Sequence, residues 1–132
     1  MKAITIKEPW ASMIACGFKV METRSWPTSY RGRIAIHAGK GKPDKDWMKN
    51  VPEMMEMVGE IHPGCIIAYA DLVDCVPITD KLIREVKNNH SEYISGFYEV
   101  GRYAFVLDNI QPIEPVIVKG KQRIWNYTEE AK

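Results

Sequence analysis

The run Gly17-Phe18-Lys19-Val20-Met21-Glu22-Thr23-Arg24 decides how this chain is read. It places Lys, Glu and Arg within six residues, directly after a short helical pattern. If Phe18–Arg24 formed one regular strand, Glu22 and Arg24 would share a face and Lys19 would lie on the other, because strand side chains alternate. Bringing all three together requires a bulge or a turn. If they converge, Glu22 holds one cation while the other meets an anion. A buried Lys beside Glu can also titrate at a shifted pKa and serve as a base or nucleophile. The same side chains also suffice for a structural ion pair at the rim of a barrel.

Upstream, Lys2–Ile6 (KAITI) alternates and reads as a strand. Pro9 suits the first position of a helix, where its missing N–H would be unpaired anyway. Trp10, Met13 and Ile14 follow at helical spacing, and Gly17 suits the C-terminal cap. Downstream, Trp26-Pro27 ends the extended segment Phe18–Thr23, since the residue before proline avoids the helical region. Arg31–Ala38 predicts a strand with Ile34 and Ile36 on one face and Arg33, Ala35 and His37 on the other. Pro43 to Gly59 reads as helical with a break near Pro52, and Trp47, Met48, Val51, Met54, Met55 and Val58 are its candidate buried contacts. Gly64–Ile78 is the longest strand candidate, too long for one strand and expected to bend. Thr79–Val86 predicts a short helix capped by Thr79 or Asp80. Asn88–Tyr98 shows no clear pattern. Gly101–Leu107 and Ile113–Val118 are the last strands, and Trp125 falls in a short terminal turn. Five or six short strands at uneven spacing, with a helix after the first, predict an α+β fold. A small mixed β-barrel with helices packed around it suits them better than a doubly wound parallel sheet.

With 132 residues, no repeat and no Pro/Gly/Ser-rich linker, residues 1–132 are expected to form one domain. No apolar run approaches the roughly 18 residues that cross a bilayer, and the N-terminus lacks a secretory pattern, so a cytoplasmic protein with no membrane partner is expected. Cys16, Cys65 and Cys75 are odd in number and form no C-x-x-C pair; they read as buried free thiols. His37, His62 and His90 show no metal spacing, and neither a metal nor a cofactor is expected. Gly39–Lys42 (GKGK) is a basic glycine turn without the spacing of a phosphate loop. Residues 1–42 carry eight Lys/Arg against two Asp/Glu, and residues 43–132 carry ten against fifteen, for a net charge of +1. A basic first third can make a local positive patch on a protein that is nearly neutral overall.

The pattern G-x-K-x-x-E-x-R resembles the signature of the ASCH (activating signal cointegrator homology) family, matched by Gly17, Lys19, Glu22 and Arg24. The flanks Ile4–Ala11 and Arg24–Gly32 and the strand Ile34–Ala38 are similar to that family too; Gly64 to Asp74 and Gly101–Phe105 match more loosely. The resemblance implies a PUA-like β-barrel with a cleft beside the first helix, and an RNA-related function. One small bacterial branch of the family removes the acetyl group of N4-acetylcytidine with a Lys, a Thr and a distant Glu; another member type is a ribonuclease. Lys19 matches the deacetylase Lys, whereas its Thr falls at Glu22. For the distant Glu the candidates are Glu60, Glu85, Glu92 and Glu99.

Three functions follow as expectations. In the first, a charged cleft binds RNA or a modified nucleotide: Lys19, Arg24 and Arg31 meet phosphate or base, Glu22 orients them, and Trp26, on a loop beside proline, stacks on a base. Trp10, at helical spacing with Ile14, reads as core instead. In the second, the protein is an amidohydrolase acting on acylated nucleosides, or a ribonuclease, with Lys19 as base or nucleophile and Glu22 as its catalytic partner. In the third, it is a protein-interaction or coregulator module that exposes the methionine-rich segment Met54–Met57.

Overall fold

Alternation at the N-terminus gives the first strand its two faces. In the computed structural model, which describes residues 1–128, β1 (Lys2–Ile6) buries Ile4 and Ile6 on one face and Ala3 on the other. β3 (Gly32–Ala38) runs parallel to β1, with Ile34 and Ile36 beside Lys2 and Ile4. The remaining pairings are antiparallel. With β2 (Met21–Arg24), β4 (Cys65–Pro77), β5 (Tyr103–Ile117) and β6 (Ile124–Asn126) the sheet has the order β2-β5-β4-β3-β1-β6. It is a mixed six-stranded sheet curled into a half-barrel, as the α+β reading expected.

The curl has a local cause. β4 and β5 slip register at Ile66/Ala68, Tyr69/Asp71 and Leu72/Asp74, and each extra residue bends its strand and increases the twist. β5 differs from the expected pair of strands, since it is continuous over 15 residues. Its first half pairs with both β2 and β4, whereas Pro112 and Pro115 fall where only β4 lies alongside. A proline is tolerated at such an edge because its missing donor leaves no partner strand unpaired.

Two apolar clusters line the two faces of the sheet. On the inner face, Ile4, Ile6, Ile34, Ile36, Leu72 and Phe105 pack against Ala11 and Ile14 of α1 (Trp10–Ala15). Gly17, at φ +85°, turns the chain out of that helix. On the outer face, Ala3, Ala35 and Ile66 are covered by Trp125 and Tyr127. Trp125 therefore sits in β6, opposite Ala3, rather than in a terminal turn.

The peripheral helices depart further from expectation. α2 (Lys45–Lys49) and α3 (Pro52–Val58) bury no residue completely, and Trp47, Met48, Val51, Met54, Met55 and Val58 are each half-buried. Thr79 caps α4 (Asp80–Val86), its hydroxyl accepting from the N–H of Leu82. The unassigned stretch after it contains α5 (His90–Ile94), whose N-cap Asn89 accepts from the N–H of Glu92. Among the thiols only Cys65 is buried; Cys75 is half-buried and Cys16 is exposed. The Cys16 thiol is pushed up in pKa, first by partial burial and then by the Glu8 carboxylate, and so favours the unreactive protonated form. Among the described residues no helix is long and apolar enough to cross a membrane.

Candidate functional site

β2 begins at Met21; the Val20 carbonyl still accepts from the N–H of Leu107 in β5 at 2.8 Å, while Phe18 and Lys19 precede the ladder. That irregular entry is the turn that convergence required. Lys19 is fully buried, with Nζ 3.9 Å from Glu22 Oε1 and 4.0 Å from Glu92 Oε2. Nζ is itself without a hydrogen-bond partner among the described residues. Glu22 also accepts from Arg24, Nε to Oε2 at 2.9 Å. Two cations and two carboxylates thus form a compact cluster of balanced charge.

Glu92 is held as firmly as it holds. Its carboxylate accepts from the backbone N–H of Val20 at 2.7 Å, the N–H of Met21 at 3.2 Å and the hydroxyl of Tyr98 at 3.4 Å. α5 therefore pins the entry of β2. Burial lowers the Lys19 pKa below the ordinary lysine value and Arg24 adds to this, while Glu22 and Glu92 oppose it. Burial and then the Glu92 charge push the Tyr98 hydroxyl well above the usual phenol range, so it stays a neutral donor.

Beside this cluster opens a cleft of about 500 Å³ between the end of β1, β2 and the turns around α5. Glu22, Thr23 and Arg24 line it, together with Lys7, Trp10, Trp47 and Arg102. Arg24 is fixed by Glu22 on one side and by the carbonyl of Thr5 on the other, with Nη2 donating at 2.8 Å. Arg102 donates to the carbonyls of Phe97 and Thr23 at 3.1 and 3.4 Å, and lies 4.3 Å over the Phe97 ring. Trp47 meets Trp10 edge to face at 5.5 Å and donates its indole N–H to the carbonyl of Ile94, joining α2 to α5 across the cleft. The Trp10 indole Nε1 is buried and has no partner among the described residues. Trp10 is thus a wall of the cleft as well as an anchor of α1.

The expected site residues separate into two groups. Lys19, Glu22 and Arg24 come together, with Lys19 sealed beneath the cleft and the other two facing it. Trp26 and Arg31 stand outside the cleft lining. The Trp26 ring packs edge-on to Phe105 at 5.2 Å and carries Arg24 at 5.8 Å and Arg123 at 4.8 Å. Arg31 donates to the carbonyls of Thr28 and Tyr30 and pairs with Asp74 at 3.6 Å. The Met54–Met57 segment borders a separate apolar groove with Phe18, Val51 and Ile94, and Met57 is exposed. Among the described residues no cluster of His, Cys, Asp and Glu could hold a metal ion.

The sequence left Glu92, Arg102, Thr5, Lys7 and Trp47 without a place in the site. Glu92 was one of four candidates; the helix-start pattern Asn89-x-x-Glu92 is the signal that fixes it on a first helical turn. Arg102 and Thr5 carry no local signal, because only the pairing of β2 with β5 and the end of β1 bring them to the cleft.

The family model of the ASCH domain matches residues 4–121. The chain belongs to the ASCH domain family. It is 28% identical to human Activating signal cointegrator 1 and 27% identical to the mouse protein, over 92% of this chain and 21% of each relative. The chain therefore spans about one fifth of the length of the curated relatives it matches. Among solved structures, ASCH from Zymomonas mobilis superposes with a TM-score of 0.63 at 19% identity, over 97% of this chain and 87% of that one. A tyrosine-to-phenylalanine variant of the same protein gives 0.60 at 19% identity, over 97% and 90%. At that identity the likeness to the solved structures establishes the ASCH fold.

Proposed function

We propose that this ASCH domain binds single-stranded RNA or a modified nucleotide in the cleft between β1, β2 and α5. One observation carries the reading. The cleft is faced by three cations, Lys7, Arg24 and Arg102, against one carboxylate, Glu22, and it is walled by Trp10 and Trp47. Arginines whose forks are already oriented by carbonyls and a carboxylate lose little freedom on meeting a phosphate. Indole walls offer surfaces for a base.

The test is fluorescence anisotropy of a labelled short single-stranded RNA at two salt concentrations, with Arg24→Gln alongside. Arg24 serves better than Lys19 because its side chain is partly exposed, so the variant folds. About three phosphate contacts give a log–log salt slope near −2. Affinity that ignores both salt and Arg24→Gln would sink the reading.

A hydrolase is the second reading, favoured by the lowered Lys19 pKa and by a Lys19 Nζ without a hydrogen-bond partner between two carboxylates. Deprotonated Lys19 would take a proton from the water that attacks the acyl carbon and return it to the N4 amine as the C–N bond breaks, releasing acetate and the free amine. Glu22 would have to swing aside to admit the substrate. Release of acetate from N4-acetylcytidine, with a rate that titrates between about pH 6 and 9 and vanishes in Glu22→Gln, would establish it. The sealed position of Lys19, away from the cleft lining, favours binding over hydrolysis.

A further inference from the structure

On the other side of Thr5 lies a second cavity of about 870 Å³, lined by Thr5, His37, Lys40, Gly64 and the β5–β6 connection from Ile117 to Gln122. It gathers Lys40, Lys119 and Lys121 from two separate stretches of chain, and its lining contains no Asp or Glu. None of these three lysines forms an ion pair among the described residues, whereas Lys19, Arg24, Arg31 and Arg33 all do. Three unpaired like charges around one hollow repel each other, and an anion relieves that repulsion.

The connection is built rather than loose. The His37 ring is buried, and its Nε2–H donates to the carbonyl of Val118 at 2.7 Å. The Thr5 hydroxyl donates to the carbonyl of Lys121 at 2.7 Å and accepts from the Trp125 indole at 3.0 Å. Gly120 sits so close to the imidazole that a Cβ there would overlap the ring. Two anchors therefore hold the connection on either side of Gly120, with Lys119 and Lys121 flanking it. The same Thr5 joins the two cavities: its carbonyl orients Arg24 in the cleft while its hydroxyl fixes the Lys121 backbone. The GKGK turn, which fits no phosphate loop, supplies Lys40 to this cavity.

We propose that the Lys40–Lys119–Lys121 cavity is a phosphodiester-binding subsite, and that a single strand of RNA seated in the cleft continues across Thr5 into it. The second half of this statement rests on the proposed function of the cleft; the first does not. The lysines meet backbone phosphates, so the subsite adds affinity and salt dependence without choosing bases.

The experiment compares wild type, Lys119→Gln/Lys121→Gln and Arg24→Gln. The probes are a fluorescein-labelled twelve-nucleotide oligouridylate, an oligothymidylate of equal length, and cytidine 5′-monophosphate. The first two are followed by anisotropy, the last by shifts of the Trp10 and Trp47 indole resonances. In the double lysine variant, affinity for both oligonucleotides should fall about tenfold. The salt slope should become shallower by about 1.4 for two lost phosphate contacts. The mononucleotide shifts should stay as in wild type. Unchanged oligonucleotide affinity and slope in this variant, with weakening in Arg24→Gln, would overturn the subsite and leave the cleft. Weakening by the lysine pair but not by Arg24→Gln would keep the subsite and overturn the cleft. No binding of either oligonucleotide by wild type would overturn both.

Discussion

Lys19 and Lys121 show two treatments of the same functional group in one small fold. Lys19 is fully buried, lies about 4 Å from two carboxylates, and is drawn below its ordinary pKa by burial. Lys121 is exposed, has no ion pair among the described residues, and is fixed only through its backbone by Thr5. The first arrangement positions neighbouring groups and hides charge. The second leaves charge in the open and invests its order in the main chain. A carboxylate held by two N–H groups and a hydroxyl, as Glu92 is, makes a rigid frame for β2. A lysine cluster without carboxylates leaves like charges uncompensated around one cavity. A ligand that spans both would take its geometry from the first and its electrostatic attraction from the second.

The largest effect expected from breaking this contrast is at Glu92. Glu92→Ala removes the acceptor of the Val20 and Met21 N–H groups and leaves Lys19 with one carboxylate instead of two. Removing one partner of a buried charge pair costs about 3–5 kcal/mol. Urea denaturation should show a loss of this size, and a loss under 1 kcal/mol would mean that water reaches Lys19. Glu92→Gln keeps a carbonyl oxygen for the backbone donors and should lose less.

On the other side, Gly120→Ala drives a methyl into the His37 ring. Overpacking of this kind costs about 1–3 kcal/mol, and the connection must move to relieve it. A lowered melting temperature together with a shifted His37 imidazole signal is the expected pair of observations. A normal melting temperature would show that the connection is not anchored there.

Lys19 also gives a pH signature that the open lysines lack. Its folded pKa lies below the 10.5 of an ordinary lysine. Between those two values the unfolded chain holds more protons than the folded one, so unfolding free energy rises with pH, by at most about 1.4 kcal/mol per unit for one proton. Measured from pH 7 upward, the stability difference between wild type and Lys19→Met should grow as 10.5 is approached. A flat difference would mean that Lys19 titrates normally.

How much of this was legible in the sequence follows from which forces are local. Period-two alternation placed β1 and β3 and sorted Ile34 and Ile36 from Ala35 correctly, because burial on each face of a strand is written in adjacent residues. The bend of Gly64–Ile78 was legible from its length, but the expectation that it is too long for one strand was wrong: β4 runs unbroken from Cys65 to Pro77, absorbing the bend in its register shifts. The continuity of β5 was not, since prolines at 112 and 115 break a strand unless one edge is free, and edge status is a property of the sheet. At the site, Lys19, Glu22 and Arg24 were legible as a cluster because they lie within six residues. Arg102, Thr5 and the lysine cavity join through strand pairing and through bonds spanning up to 120 residues, which no local pattern encodes.

The smallest expected effect sharpens the contrast most. If the open lysines contribute nothing to the fold, Lys119→Gln/Lys121→Gln should melt at the wild-type temperature in ordinary salt. At low salt it should melt slightly higher, because like charges near one another repel over roughly 10 Å at 0.1 M ionic strength and over about three times that at 0.01 M. Wild type should therefore gain more than the variant when salt is raised, and the two melting curves should converge. A variant that melts several degrees lower at every salt concentration would mean that the lysine stems pack on the connection and hold it in place. In that case the cavity is a structural corner, and the contrast with Lys19 is one of exposure alone.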